Sequence, residues 1–414
     1  MRLIYTFAIG LYEFLIRIAS IRNKKASLWV KGRKNVFNEL SLKCKSSDNF
    51  IWIHCASLGE FEQARAFIEL LRERKTDFKI LLTFFSPSGY EVRKNYPSVD
   101  VITYLPIDTP KNVKKFLSIV HPKYIFFIKY EYWFNYINQA YKQHIPFYVV
   151  SAIFRKNQRF FKFYGFWFRK ELKKITYFFT QNDESKRLLN SIDITQCEVY
   201  GDTRFDTVST LQAVRYPIID KFCENNRIMI AGSTWFEDEK LLYDYINNNT
   251  YKWIIVPHEI NEAHLEKIKY LYKDLGCVFY SEVSPTTNFS NAKILIVNAI
   301  GILRTMYHYA EVAYIGGGFG KGIHNVLEAA TFGKPVIFGP NFKNFREACE
   351  LIEKNAAFSV TNQNELSTIF TKLNQEEDLL LHASKTASNY VLSQIGASQK
   401  ILSAVFSENP DTDY

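Results

Sequence analysis

Two carboxylates in this sequence stand where a carboxylate can do chemistry. Glu60 ends the run His54-Cys55-Ala56-Ser57-Leu58-Gly59-Glu60, after an apolar segment and at the start of a helical pattern. At a strand's carboxyl end such a group can act as general base toward a hydroxyl. Ser57-x-x-Glu60 is equally a capping box, in which the glutamate only satisfies a backbone N–H. Glu328 follows Gly322-Ile323-His324-Asn325, one turn into an expected helix, where a carboxylate can take two hydroxyls of a ribose. The alternative there is an ordinary β–α turn with a solvated glutamate.

The elements around Glu328 read clearly. Val312–Ile315 is a short buried strand, broken by Gly316, Gly317 and Gly318. Gly320 and Gly322 continue a loop, and Val326, Leu327 and Ala330 are spaced as a helix from about Asn325. Gly333 stops it, and Pro335–Phe338 starts the next strand. Strand, glycine loop and helix N-terminus together make an anion site, because backbone N–H groups and the helix dipole face the ligand. Ala231-Gly232-Ser233-Thr234 offers the same geometry with hydroxyls for a phosphate, and Thr234-x-x-Glu237 is its capping alternative. His258 stands at a further strand end, although a lone histidine is more often structural.

These sites need a frame. Apolar runs at Phe50–His54, Ile80–Thr83, Val101–Tyr104, Tyr124–Ile128, Phe147–Val150, Tyr177–Thr180 and Glu198–Tyr200 read as strands, with helical stretches such as Pro110–Ile119 and Tyr132–Lys142 between most of them. The rhythm pauses around Gly201–Ile218. It resumes at Ile228–Ala231, Trp253–Val256, Ile294–Val297, Val312–Ile315, Pro335–Phe338 and Ala357–Val360. Strands alternating with helices predict parallel, doubly wound sheets. Two Rossmann-like domains facing across a cleft, with ligands at the strands' carboxyl ends, are expected over 414 residues. The six cysteines are scattered without a C-x-x-C pair, which argues against a zinc site and a disulfide framework and for a reducing compartment.

Charge is uneven. Residues 1–200 carry 33 Lys/Arg against 17 Asp/Glu, a net +16, and the remainder carries 19 against 25, a net −6. The basic half is expected to face an anionic partner. Leu3–Ile21 is strongly apolar but holds Glu13 and Arg17, and Arg22, Lys24, Lys25, Lys31, Arg33 and Lys34 follow it. No cleaved signal peptide is expected there, and the pattern suits a helix in or on an anionic membrane leaflet. A helix packed on its own domain and a spanning helix are the alternatives. Ile153–Phe178 adds eight basic residues, one acidic residue and interleaved aromatics. That composition fits a phosphate-rich membrane surface, single-stranded nucleic acid, or an amphipathic helix with a solvated basic side.

In this order, His54-x-x-Ser57-x-Gly59-Glu60, Glu131-x-Trp133, Gly201-Asp202-x-Arg204-Phe205-Asp206, Ala231-Gly232-Ser233-Thr234 and Gly322-x-His324-Asn325-x-x-Glu328-x-x-x-x-Gly333-x-Pro335-Val336-x-x-Gly339-Pro340 resemble the 3-deoxy-D-manno-octulosonic acid (Kdo) transferases of lipopolysaccharide biosynthesis. The resemblance runs to about Val360. It implies a GT-B glycosyltransferase on the cytoplasmic face of the cell inner membrane, moving Kdo from CMP-Kdo to a lipid A precursor (lipid IVA) with inversion. Neither a metal nor a cofactor is implied, and no nucleic acid partner.

Carried over to matching positions, Glu60 is the general base, with Ser57 beside it, and Glu131 binds acceptor or supports the base. Ser233 and Thr234 line the donor phosphate. Gly317, Gly318, His324, Asn325 and Glu328 hold the donor, Gly301 meets the cytosine, and Arg204 meets a substrate charge. The family's Pro-Arg-His-Pro-Glu reads Pro257-His258-Glu259 here, so His258 or another cation must replace a phosphate-binding arginine. Its second Gly before His-Asn is Ile323, and its Glu-Thr-Glu is Lys129-Tyr130-Glu131.

The expected organisation is an anchor helix with basic flank (1–34), an acceptor domain (35–206), a linker (207–225), a donor domain (226–385) and a C-terminal helix and tail (386–414). Ala383–Phe406 is the candidate for a helix returning to the first domain. A nucleotide-sugar epimerase or UDP-sugar transferase on the same fold is an alternative function, as is a non-catalytic membrane- or RNA-binding protein.

Overall fold

The computed structural model describes residues 1–74 and 77–406. The chain divides into two compact units, one formed by Met1–Thr207 with the chain from Ile395 on, the other by Val208–Gln394. The tail from Glu408, read above from its sequence, lies outside the described residues.

The first unit holds a parallel seven-stranded sheet of β1 (Phe50–Cys55), β2 (Lys79–Phe84), β3 (Val101–Tyr104), β4 (Pro122–Ile128), β5 (Phe147–Ala152), β6 (Tyr177–Thr180) and β7 (Cys197–Val199), in the order β3-β2-β1-β4-β5-β6-β7. All six β1 residues are buried, as expected when helices cover both faces. Alternation sorts them. Phe50 and Trp52 face one layer, where Trp52 meets Phe116 at 4.7 Å and Phe127 at 5.2 Å. Ile51, Ile53 and Cys55 face the other, with Phe61, Phe67 and Phe126. The helix Leu58–Glu73 lies in that second layer and is joined there by Ile401, Leu402 and Val405 of the last helix, Ala397–Phe406.

The second unit repeats the plan with β8 (Ile228–Thr234), β9 (Lys252–Pro257), β10 (Cys277–Phe279), β11 (Ile294–Ile296), β12 (Val312–Ile315), β13 (Val336–Phe338) and β14 (Ala357–Ser359). Its order is β10-β11-β9-β8-β12-β13-β14, again all parallel.

Several sequence expectations need correction. The helix expected from Asn325 is only Leu327–Ala330, too short for a macrodipole to act at its start. Ile153–Phe178 is no single helix but two 3₁₀ turns, a short helix Phe166–Leu172 and the start of β6. The pause at Gly201–Ile218 contains the helix Thr203–Ser209 and the start of another, Pro217–Cys223. Ala383–Phe406 is broken, one helix ending at Ser393 and the next beginning at Ala397. Gly396 takes φ +103° at the break, a conformation that favours glycine. The Asp206 carboxylate then caps the last helix, accepting from Gly396 N at 2.5 Å and Ser398 N at 2.7 Å.

The N-terminal helix Arg2–Ala19 buries none of its residues. Among the described residues no helix is long and apolar enough to cross a membrane. Polar ties near its start fix it to the first unit. Arg2 Nη2 donates to both carboxylate oxygens of Glu171 at 2.7 and 2.8 Å, and Tyr5 Oη donates to buried Asp108 at 2.6 Å. Leu3, Phe7 and Ile18 remain exposed (86, 74 and 52%), as do Phe163 and Phe166 of the basic aromatic stretch.

Candidate active site

Near the middle of each sheet the strand order turns about, and the loops after the strands' carboxyl ends part at that place; in the second sheet β10 and β11 also change places at the edge. In the first unit the reversal lies between β1 and β4, in the second between β8 and β12. The residues singled out by sequence concentrate at these two places.

Glu60 follows β1 and Glu131 follows β4, so the first reversal is flanked by two carboxylates. Lys129, which ends β4's run, takes left-handed backbone (φ 66°) just before Tyr130 and Glu131. Strained backbone of this kind tends to be retained where it aims a functional group. Glu60 sits in the first turn of its helix and is largely buried. The capping box anticipated as an alternative does not form. Ser57 does cap the helix, but through Gly59 N at 3.3 Å, and the Ser57 hydroxyl donates to Glu60 Oε2 instead. Glu60 therefore keeps a carboxylate that is not committed to the backbone N–H of Ser57.

Tyr130 gathers the remaining groups. Burial raises its phenol, with further upward pressure from Glu60 and Glu131 and opposing pull from Arg155 and Arg204. Arg204 is already engaged, donating through Nε to Asp202 at 2.8 Å, with its Nη2 2.7 Å from the same oxygen. Burial alone would push the Asp202 carboxyl up, yet Arg204 outweighs it and holds Asp202 below the usual range. A substrate anion at Arg204 would share the guanidinium with Asp202.

In the second unit Ser233 also takes left-handed backbone (φ 55°), at a bulge in β8. Gly316 answers this bulge: a Cβ there would lie 2.3 Å from Ser233 O and 2.6 Å from Thr234 Cα. The Thr234 capping box is likewise absent. Thr234 is buried and its hydroxyl donates to Glu239 Oε1 at 2.8 Å, so it faces inward and not toward a phosphate. Asp238 caps the following helix through Trp235 N at 2.9 Å and also accepts from Gly317 N at 2.9 Å. The Gly316, Gly320, Gly322 and His324 N–H groups bond to carbonyls of the same unit. The glycines thus serve close backbone approach: Gly318 and Gly339 touch so tightly that a Cβ on either would sit under 3 Å from the other's backbone.

Three rings stack at this reversal. His258, after β9, lies 4.8 Å from Trp235 and 4.2 Å from His324, and Trp235 Nε1 donates to His324 Nε2 at 3.1 Å. Burial, then the neighbouring His258, pushes His324 down to about 4, and burial lowers His258 too. Burial thus disfavours the charged form of both rings, which pack on one another and on Trp235. Asn325 turns back onto its own loop, its side-chain oxygen accepting from Leu327 N at 3.1 Å and its amide donating to Glu328 Oε1 at 3.2 Å. Gly301 has φ +90° and open space where a side chain would be, in the loop after β11. Sequence reasoning missed Trp235, whose signal was its place directly after Ser233-Thr234, and His54, treated below.

Comparison with known proteins completes the site. Residues 30–207 match the family described as 3-deoxy-D-manno-octulosonic-acid transferase (kdotransferase). A bifunctional glycosyltransferase/methyltransferase of Fusobacterium nucleatum is 27% identical over 80% of this chain, which spans 54% of that relative's length. The 3-deoxy-D-manno-octulosonic acid transferase of Aquifex aeolicus is 28% identical over 82% of this chain and 90% of its own. Among solved structures, a UDP-N-acetylglucosamine 2-epimerase from Listeria monocytogenes shares the fold, with a TM-score of 0.62 at 14% identity, covering 89% of this chain and 98% of its own.

Proposed function

We propose that this chain is a glycosyltransferase of the Kdo transferase family whose model its residues 30–207 match, and that it transfers Kdo from CMP-Kdo to a lipid A precursor with inversion of the anomeric centre. The observation that carries this is the pair Glu60 and Glu131 at the first unit's reversal, with the Glu60 carboxylate accepting from the Ser57 hydroxyl. In the reaction an acceptor hydroxyl attacks the anomeric carbon of Kdo. The bond from that carbon to the CMP phosphate oxygen breaks, CMP departs with the electron pair, and the hydroxyl proton passes to Glu60. Attack opposite the leaving group inverts the centre.

The acceptor domain is the first unit and the donor domain the second. Ser233, Gly317, Gly318, His324, Asn325 and Glu328 surround the donor, with Glu328 on the ribose and Gly301 at the base. Trp235 and His258 add a stacked ring surface to that group. The reaction requires neither a metal nor a cofactor. The exposed apolar residues of the N-terminal helix and the basic aromatic stretch seat the protein on the cytoplasmic face of the inner membrane. Incubating the full chain in detergent with CMP-Kdo, a tetra-acylated lipid A precursor and EDTA, followed by mass spectrometry, tests this. A product heavier by one or more Kdo units is expected. Intact donor and acceptor would overturn it.

A further inference from the structure

His54 is fully buried in β1, one residue before that strand's end. Its ring is fixed from both neighbouring strands, since its register partners are Thr83 on β2 and Phe127 on β4. Phe127 packs on it at 4.6 Å. Its Nδ1 lies 2.9 Å from Thr83 Oγ1 and 3.1 Å from Thr83 O. Trp52 Nε1 donates to the same Thr83 Oγ1 at 2.8 Å. That hydroxyl, receiving from Trp52, has its own proton to give to His54 Nδ1, whereas the Thr83 carbonyl oxygen beside it can only accept, so the group facing Nε2 decides between the tautomers.

A neutral His54 that accepts at Nδ1 carries its proton on Nε2. His54 Nε2 points at Glu131 Oε2, 3.6 Å away, and both atoms are buried without a hydrogen-bond partner. Two buried polar atoms that face each other just beyond bonding distance are a strong coincidence in a folded core. Closing that gap by a few tenths of an ångström makes a charge-assisted bond.

We propose that His54 is a positioning residue: through Nε2–H it fixes the Glu131 carboxylate at the edge of the reaction site. The proposal deepens the transferase reading and rests on it for the role of Glu131. It separates the two glutamates, Glu60 held by a hydroxyl on its own helix and Glu131 held by the sheet.

The test uses the full-length protein with histidine labelled with nitrogen-15, the His54 signal assigned by its loss in His54→Gln. The proposal expects a neutral Nε2–H tautomer whose shifts move in Glu131→Gln. An Nδ1–H tautomer overturns it, whether or not transfer is found. In the transfer assay, His54→Gln places an amide N–H near the Nε2 position and is expected to keep activity within about tenfold of wild type. His54→Asn, too short to reach, should lose on the order of 10²-fold, as a misplaced catalytic group does. In a Glu131→Gln background the Gln and Asn variants should differ no further. Equal activities of His54→Gln and His54→Asn in folded protein overturn the proposal. An inactive wild type refutes the transferase reading instead.

Discussion

Acidification should loosen the second unit through His324, by an amount the structure sets. The ring is stacked on His258, accepts from Trp235 Nε1, and titrates at about 4 because burial disfavours its charge. Its ordinary value, which it regains on unfolding, is about 6.5. Above 6.5 both states are neutral and the group contributes nothing to the pH dependence. As pH falls from 6.5 toward 4 the unfolded chain takes up the proton first, so stability declines by about 1.4 kcal/mol per pH unit. Between pH 7 and pH 5 that amounts to roughly 2 kcal/mol, which water at the partly exposed ring trims to about 1–2 kcal/mol. His324→Phe keeps the stack and removes the proton. Urea unfolding of both proteins at pH 7 and 5, followed by tryptophan fluorescence, isolates the contribution, because all other titrating groups are shared. The wild type should lose about 1–2 kcal/mol more than the variant over that interval. Equal losses, or a His324 resonance titrating near its ordinary value, would refute the reasoning.

Asp206→Ala removes both acceptors from the start of the last helix. It should cost about 1–3 kcal/mol and make Ala397–Phe406 the first segment cut by protease; an unchanged cleavage pattern and melting temperature would contradict the capping role. Replacing exposed Leu3, Phe7 and Ile18 by serine should weaken co-sedimentation with vesicles of anionic phospholipid while leaving the melting temperature within a degree or two, since none of the three is buried. Unchanged sedimentation would contradict the membrane-facing reading of that helix.

Most strands were legible because helices cover both faces, so each strand is a short continuous apolar run. Val101–Tyr104, Tyr177–Thr180 and Val312–Ile315 match their expected bounds for this reason. Strand β10 was not, being three residues long and only partly buried at Cys277 and Val278. Local patterns that several structures satisfy misled most. Ser57-x-x-Glu60 fits a capping box by spacing, but the choice between a backbone N–H and the serine hydroxyl depends on how the loop closes. The apolar spacing through Ala383–Phe406 runs on across Gly396, and only the distant Asp206 explains why a new helix starts there. Aromatics in Ile153–Phe178 suggested one helical face, yet Phe154 and Phe160 pack into the core from irregular turns and Trp167 from a helix of only seven residues. The motif residues lie at strand ends, which apolar runs and glycines mark in the sequence. Their hydrogen-bond partners were not legible, because Thr83 lies on another strand and Asp238 accepts from Gly317, far along the chain.

The central claim is that Glu60 takes the acceptor's proton. Steady-state transfer by Glu60→Gln, with folding checked by its melting temperature, tests it most directly. The account predicts a fall in kcat of about 10²–10⁴-fold with KM for CMP-Kdo near that of wild type, because the side chain keeps its shape and the donor binds elsewhere. A kcat within tenfold of wild type would contradict it and leave Glu60 a partner of Ser57 and nothing more.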